Sequence, residues 1–255
     1  MIKELYNYRQ LLKSNVRKEI RGKYKGSFLG VLWSFVNPLL TTLVYAIVFP
    51  FILKNAQDHY TTFIVIAVLP WNWFTTVISQ GTSTILINGN ILKKVYFPRE
   101  ILPISINVSG LINFLVSCLI IGIFLICSRI GFSWYILFLP LIILVQFILL
   151  QGIIFITSSI NVYVRDLEYI MNFLIAMLFY GTPVLYSMNM FPEKIQTILR
   201  LNPMTTIIES YRDIFFYQQM PDFISLGLVF IFSLVILFIG VKVFDKLEKG
   251  FAEEL

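Results

Sequence analysis

The chain has 255 residues, 58% of them hydrophobic and only 13% charged, with a mean hydropathy of +0.81. A soluble domain of this size needs more polar surface to cover its core, so the composition excludes an ordinary globular enzyme and points to a membrane protein. The net charge of +6 comes from basic residues beside apolar runs, the pattern that sets membrane topology, so no nucleic-acid partner is expected.

The first 25 residues carry eight Lys/Arg and no apolar core of the kind a secretory leader needs, so none is expected. Ile2, Leu5, Tyr8, Leu12, Val16 and Ile20 recur at three- and four-residue spacing, which predicts an amphipathic helix over residues 2–24. Arg9 and Lys23 interrupt the stripe. Residues 1–26 read either as a helix lying in the cytoplasmic interface among membrane lipids or as a plain basic flank; both place them inside.

Six windows free of ionisable residues follow, at 26–53, 60–92, 101–128, 130–164, 169–192 and 223–241. Each holds the roughly 20 apolar residues that a spanning helix requires. Residues 27–255 are therefore expected to form one transmembrane domain, with spans near 28–53, 61–88, 100–128, 134–162, 168–187 and 222–244. A cytoplasmic N-terminus places both termini inside, with fifteen Lys/Arg inside and five outside, as the positive-inside rule demands. Cys118 and Cys127 sit in an apolar run and read as small buried hydrophobes rather than a disulfide or metal pair.

Between spans two and three lies ILKKVYFPREILP, residues 91–103. Pro98 and Pro103 argue against one continuous helix, so a short helix near 89–97, a break, and span three from about Arg99 are expected. The element at 89–99 either projects to receive a partner or is a tight loop whose lysines obey the inside rule. Residues 188–221 are too charged to span and too apolar for a solvated loop. Two short helices separated at Asn202-Pro203, dipping into the outer leaflet, satisfy the backbone and the charge together. A cap lying flat on the outer surface does so too.

Catalytic patterns are missing. The chain has no GxxxxGK[ST] phosphate loop, no HExxH and no paired carboxylates within a span, and a metal site is not expected. Spans without ionisable residues also count against an ion-coupled carrier. Arg165, Asp166 and Glu168 are the compact polar set on the inside; a membrane enzyme acting on polyprenyl-linked sugar would have to use them. Arg165-Asp166 reads better as an ion pair at a helix junction. Polar and aromatic side chains within the spans, including Asn37, Asn72, Trp71, Trp73, Asn113 and Gln146, divide between interface anchors, helix–helix contacts and pathway lining.

Four segments resemble a known family. Arg21–Phe49 (RGKYKGSFLGVLWSFVNPLLTTLVYAIVF) is similar to the first span of type-2 ABC exporter permeases, those of O-antigen and teichoic-acid export. Val95–Ile104 (VYFPREILPI) is similar to their loop and third-span entry, and Ile160–Ser187 to their fourth-to-fifth span junction. Leu201–Phe216 (LNPMTTIIESYRDIFF) resembles their outer re-entrant helix. The resemblance implies an all-α integral membrane protein of six spans with an interface helix, a cytoplasmic coupling helix and short re-entrant outer helices. It implies a homodimer with two copies of a separate nucleotide-binding subunit in a bacterial cytoplasmic membrane. ATP and Mg would sit on that subunit and no cofactor on this chain. The substrate would be a lipid-linked polysaccharide of O-antigen type, with teichoic acid second. Coupling would fall to Lys93, Lys94, Tyr96, Phe97, Pro98, Arg99 and Glu100. Sugar contacts would fall to Trp33, Phe35, Tyr45, Phe173, Phe179 and Tyr180, and the outer gate to Pro192, Asn202, Pro203, Glu209 and Arg212.

Overall fold

The computed structural model describes residues 6–22, 33–52 and 58–255, and all regular structure among them is helical. Helix α1 (Arg9–Gly22) precedes α2 (Trp33–Ile52), α3 (Tyr60–Ile87), the single turn α4 (Gly89–Leu92) and α5 (Ile101–Cys127). A 3-10 turn, Trp134–Phe138, leads into α6 (Leu139–Tyr163), followed by α7 (Leu167–Tyr180), α8 (Glu193–Leu199) and α9 (Pro203–Arg212). Helix α10 (Phe223–Leu247) and the short α11 (Phe251–Glu254) complete the chain. Among the described residues, four helices are long and apolar enough to cross a bilayer: Tyr60–Ile87, Ile101–Cys127, Trp134–Tyr163 and Phe223–Gly250.

Helix α3 is the centre of the bundle. It is buried almost throughout, packed by α2, α5, α6, α7 and α9. Trp71 and Trp73 are therefore core residues rather than interface anchors. Helix α6 packs against α10 through two glycines. A Cβ on Gly152 would meet the Leu237 backbone nitrogen at 2.6 Å, and one on Gly240 would meet the Gly152 carbonyl oxygen at 2.6 Å. Lipid offers no hydrophobic drive between spans, so such backbone approach and interhelical hydrogen bonds hold the bundle. Thr82 donates to Thr157 at 3.0 Å, and Asn107 donates to Gln151 and to the Phe147 carbonyl at 3.0 Å each. Buried Gln146 donates to the Pro70 carbonyl at 2.9 Å and accepts from Tyr211 at 3.0 Å, joining α6, α3 and α9.

Two expectations change. The helix expected over 168–187 ends at Tyr180. At ~1.5 Å per residue its 14 residues reach about 21 Å, short of a ~30 Å hydrocarbon core. Pro183 disfavours helical backbone at Thr182, so the chain leaves the helix at Gly181. The helix expected near 89–97 is one turn, Gly89–Leu92, not nine residues: the chain turns at Lys93 and Lys94 and bends at Val95, short of Pro98. On α1, Leu12, Val16 and Ile20 line a groove with Val108 and Ile112 of α5, which Lys13 and Arg17 also line. Residues 1–5 and 23–32 lie outside the described residues. Cys118 and Cys127 are free thiols.

Candidate functional site

Two ends of the bundle carry the functional candidates. At one end, α1, the loop 88–100 and the C-terminal turns pack together. Lys18 of α1 donates to Asn88 at 3.0 Å, and Tyr163 donates to the Leu247 carbonyl at 2.8 Å. Arg99 donates to the Glu248 carbonyl and lies over the Phe251 ring, 5.6 Å from its centroid. Phe97 is 5% exposed, in a cluster with Ile85, Ile101, Phe155, Phe244 and Phe251. Glu100 is buried as well. The Phe97 side chain, one of the coupling residues the resemblance implies, is therefore turned inward and seats the loop on the bundle. Tyr96, by contrast, is 87% exposed, beside exposed Lys93 and Lys94. The loop has a base packed on the bundle and an exposed aromatic-basic tip.

Arg165 and Asp166 lie at the same end, both exposed, and form no ion pair with each other among the described residues. Adjacent side chains do not face one another at a helix start. The junction is held instead by Asn161, whose Oδ1 accepts the Glu168 backbone N–H at 3.1 Å.

At the opposite end, α8 and α9 are the two short helices expected, parted at Asn202-Pro203. Asn202 caps α9 by accepting from the Met204 N–H at 3.0 Å, and Pro203 takes the first helical position, where its missing N–H costs nothing. The Asn202 amide also donates to Thr182 at 2.7 Å. Pro192 opens α8. Met204, Ile207, Ile208 and Tyr211 recur at helical spacing and bury α9 against α3 and α6.

Arg212 closes this end from within. It is fully buried, forms an ion pair with Glu209 at 2.7 Å, and stacks 3.6 Å above the Phe63 ring centroid. Its guanidinium donates to the Val184 carbonyl at 2.9 Å and the Tyr186 carbonyl at 3.3 Å, while Tyr60 donates to the Leu185 carbonyl at 2.5 Å. Three successive carbonyls of a non-helical segment are thereby satisfied. Irregular backbone within a membrane protein persists only where it is buried in protein and paired in this way.

Between the ends, a cavity of about 450 Å³ opens among α2, α3 and α5. Asn37, Asn72, Gln80 and Asn113 line it with amides, and Trp73 points a buried, unpartnered Nε1–H in the same region while stacking on Phe114 at 5.1 Å. Amides and an aromatic N–H suit hydroxyl-rich groups and have little use for an acyl chain. Tyr45, Phe179 and Tyr180 form an aromatic run from α2 to α7, with centroids 6.2 and 5.5 Å apart. Tyr180 and Phe173 are 76% and 69% exposed; Trp33 is partly buried. The side chain of Phe35 lies outside the described residues. Sequence reasoning missed Phe251 and Asn88 as seats of the loop; an aromatic in an otherwise polar C-terminal tail was the one signal available for the former.

The described residues thus form an all-helical bundle with a polar cavity among α2, α3 and α5. Residues 10–216 match the ABC-2 type transporter model. An O-antigen export system permease protein RfbA of Myxococcus xanthus is 34% identical, over 100% of this chain and 99% of its own. One of the same name from Klebsiella pneumoniae is 32% identical, over 96% and 95%. The polysialic acid transport protein KpsM of Escherichia coli is 22% identical, over 91% and 92%. This chain belongs to the ABC-2 type transporter family.

Proposed function

We propose that this chain is the permease subunit of an ATP-driven exporter that moves lipid-linked polysaccharide of O-antigen type across a bacterial cytoplasmic membrane. The end-to-end similarity to two O-antigen export permeases carries the reading. The more distant similarity to a polysialic acid transporter fits a shared passage with a different polymer.

On this reading the chain crosses the membrane six times: beyond the four long helices, α2 supplies one span, and α7 with the non-helical residues that follow it, 181–187, supplies the other. The segregation of loops supports it: α1, residues 88–100, the 163–166 junction and the C-terminus meet at one end. Residues 58–60, 128–133 and 181–222 gather at the other, where Gln218 donates to the Ile130 carbonyl at 2.8 Å. The first end is cytoplasmic by its excess of Lys/Arg. Two copies of the chain enclose the channel, and two copies of a separate nucleotide-binding subunit, holding ATP and Mg, dock on Lys93, Lys94 and Tyr96. Phe97, Pro98, Arg99 and Glu100 seat that tip and pass its movement to α5 and α10. Sugars pass the aromatic run of Tyr45, Phe179 and Tyr180, and Trp33, Phe35 and Phe173 are the further candidate sugar contacts. Asn202, Pro203, Glu209 and Arg212, with Pro192, hold the outer gate.

Cells that make such a polymer but lack this chain should accumulate it on its lipid inside and lose it from the surface. Supplying the chain together with its nucleotide-binding subunit should restore the surface polymer, and either subunit alone should not. Undiminished surface polysaccharide in the deletion would refute the proposal.

A further inference from the structure

A second cavity, of about 400 Å³, lies at the outer end between α8, α9 and the start of α10. That volume is within the ~300–1,000 Å³ usual for small-ligand sites, yet its wall is polar rather than apolar. Thr205 lines it and is 1% exposed, and its hydroxyl has no hydrogen-bond partner. A buried hydroxyl left unpaired is costly, and at a cavity wall a bound molecule can supply the missing partner.

The remaining wall says what the partner is. Glu209, Asp213 and Asp222 are acceptors only when ionised. Each is held in place: Glu209 by Arg212, Asp213 by the Gln219 amide at 2.7 Å, and Asp222 by Ser225 and the Ile224 and Ser225 N–H groups. A carboxylate has about four lone-pair sites, so capacity remains on all three for incoming hydroxyl donors. Against them the wall sets one cation, Arg200. A phosphate or a sugar acid would meet an excess of negative charge, whereas a neutral polyol would not. Tyr217 stands at the rim with its ring partly exposed, edge-on to Phe216 at 5.2 Å, and offers a flat amphipathic surface.

We infer that this outer cavity binds a neutral sugar unit, holding the polysaccharide as it leaves the channel. The inference rests on the export reading for its biological ligand, but the site itself is testable without transport. The purified permease with its nucleotide-binding subunit would be titrated with methyl mannoside, methyl galactoside and methyl N-acetylglucosaminide, and with methyl glucuronide as the acidic control, by saturation-transfer NMR. At least one neutral glycoside should bind and the glucuronide should not. Thr205→Val, nearly isosteric, should weaken binding about tenfold, the cost of one lost hydrogen bond, and should melt at or above the wild-type temperature. Thr205→Ser, which keeps the hydroxyl, should bind as wild type. Absence of neutral-glycoside binding, equal binding of the glucuronide, or an unweakened Thr205→Val would each overturn the assignment. None of these results touches the export reading, which the deletion strain tests separately.

Discussion

Removing the Arg212 side chain should cost the protein several kcal/mol, and the structure says where each part of the cost arises. Arg212→Ala leaves the Val184 and Tyr186 carbonyls without donors in a buried, non-helical segment. Each orphaned carbonyl costs ~1–3 kcal/mol. Glu209 loses its ion-pair partner, but its side chain is 30% exposed and can rehydrate, which keeps the total near the lower end of the 3–5 kcal/mol typical of a broken buried pair. About 3 kcal/mol corresponds to a fall of roughly 6–12 °C in melting temperature for a chain of this length. Arg212→Lys should fall between wild type and Ala, since an ammonium keeps the charge beside Glu209 but lacks the planar fork that reaches two carbonyls and lies on the Phe63 ring. Glu209→Gln should cost less than Arg212→Ala, because every donor bond from Arg212 to the backbone survives. Melting in detergent, followed by the monodispersity of the heated protein, ranks the four proteins. Arg212→Ala melting within about 2 °C of wild type, or Glu209→Gln proving the worse, would show that the carbonyl clamp contributes little and that the charge pair matters more.

The same reasoning separates the two aromatic residues of the loop. Phe97→Ala should destabilise by ~3–5 kcal/mol as a core truncation, while Tyr96→Ala should leave melting unchanged and weaken capture of the nucleotide-binding subunit; pull-down and melting measured side by side check both. Gly152→Ala should destabilise by ~1–3 kcal/mol through overpacking against the α10 backbone, read as a lowered melting temperature. For topology, single cysteines near Lys94 and Glu253 should be shielded from an impermeant thiol reagent in intact cells, and those near His59 and Glu193 labelled.

The long apolar helices were legible because the bilayer imposes a one-dimensional rule: a charge at helix centre costs ~2.5–3.5 kcal/mol on insertion scales, so charge-free windows outline the candidates. The ends of α3 and α5 fall within one residue of the windows' expectation, and Asn202-Pro203 marked the start of α9 through capping chemistry that is equally local. What stayed hidden is anything decided by which side chain meets which across the bundle. Tyr96 and Phe97 are neighbours of the same class, yet one is 87% exposed and the other 5%. Nothing in VYFPRE distinguishes them; the difference is made by Phe251, some 150 residues away, arriving at the same point.

The case of Arg212 shows how far such distant pairing reaches into local structure. Read alone, Glu209 and Arg212 are two charges three residues apart on a helix, the spacing of an ordinary surface pair worth a few tenths of a kcal/mol. In the fold the same arginine is fully buried, and its two terminal nitrogens also reach the carbonyls of residues 184 and 186. That arrangement explains why α7 can stop at Tyr180. Gly181 and Pro183 end the helix, and the backbone they release would be intolerable at membrane depth without donors from elsewhere. The short α7 and the charged α9 are therefore one feature in two parts of the sequence, the break in the first made possible by the buried cation in the second. Any substitution that shortens or neutralises position 212 should be felt first at residues 184–186, before the long helices loosen, and hydrogen exchange resolved by segment would register it there.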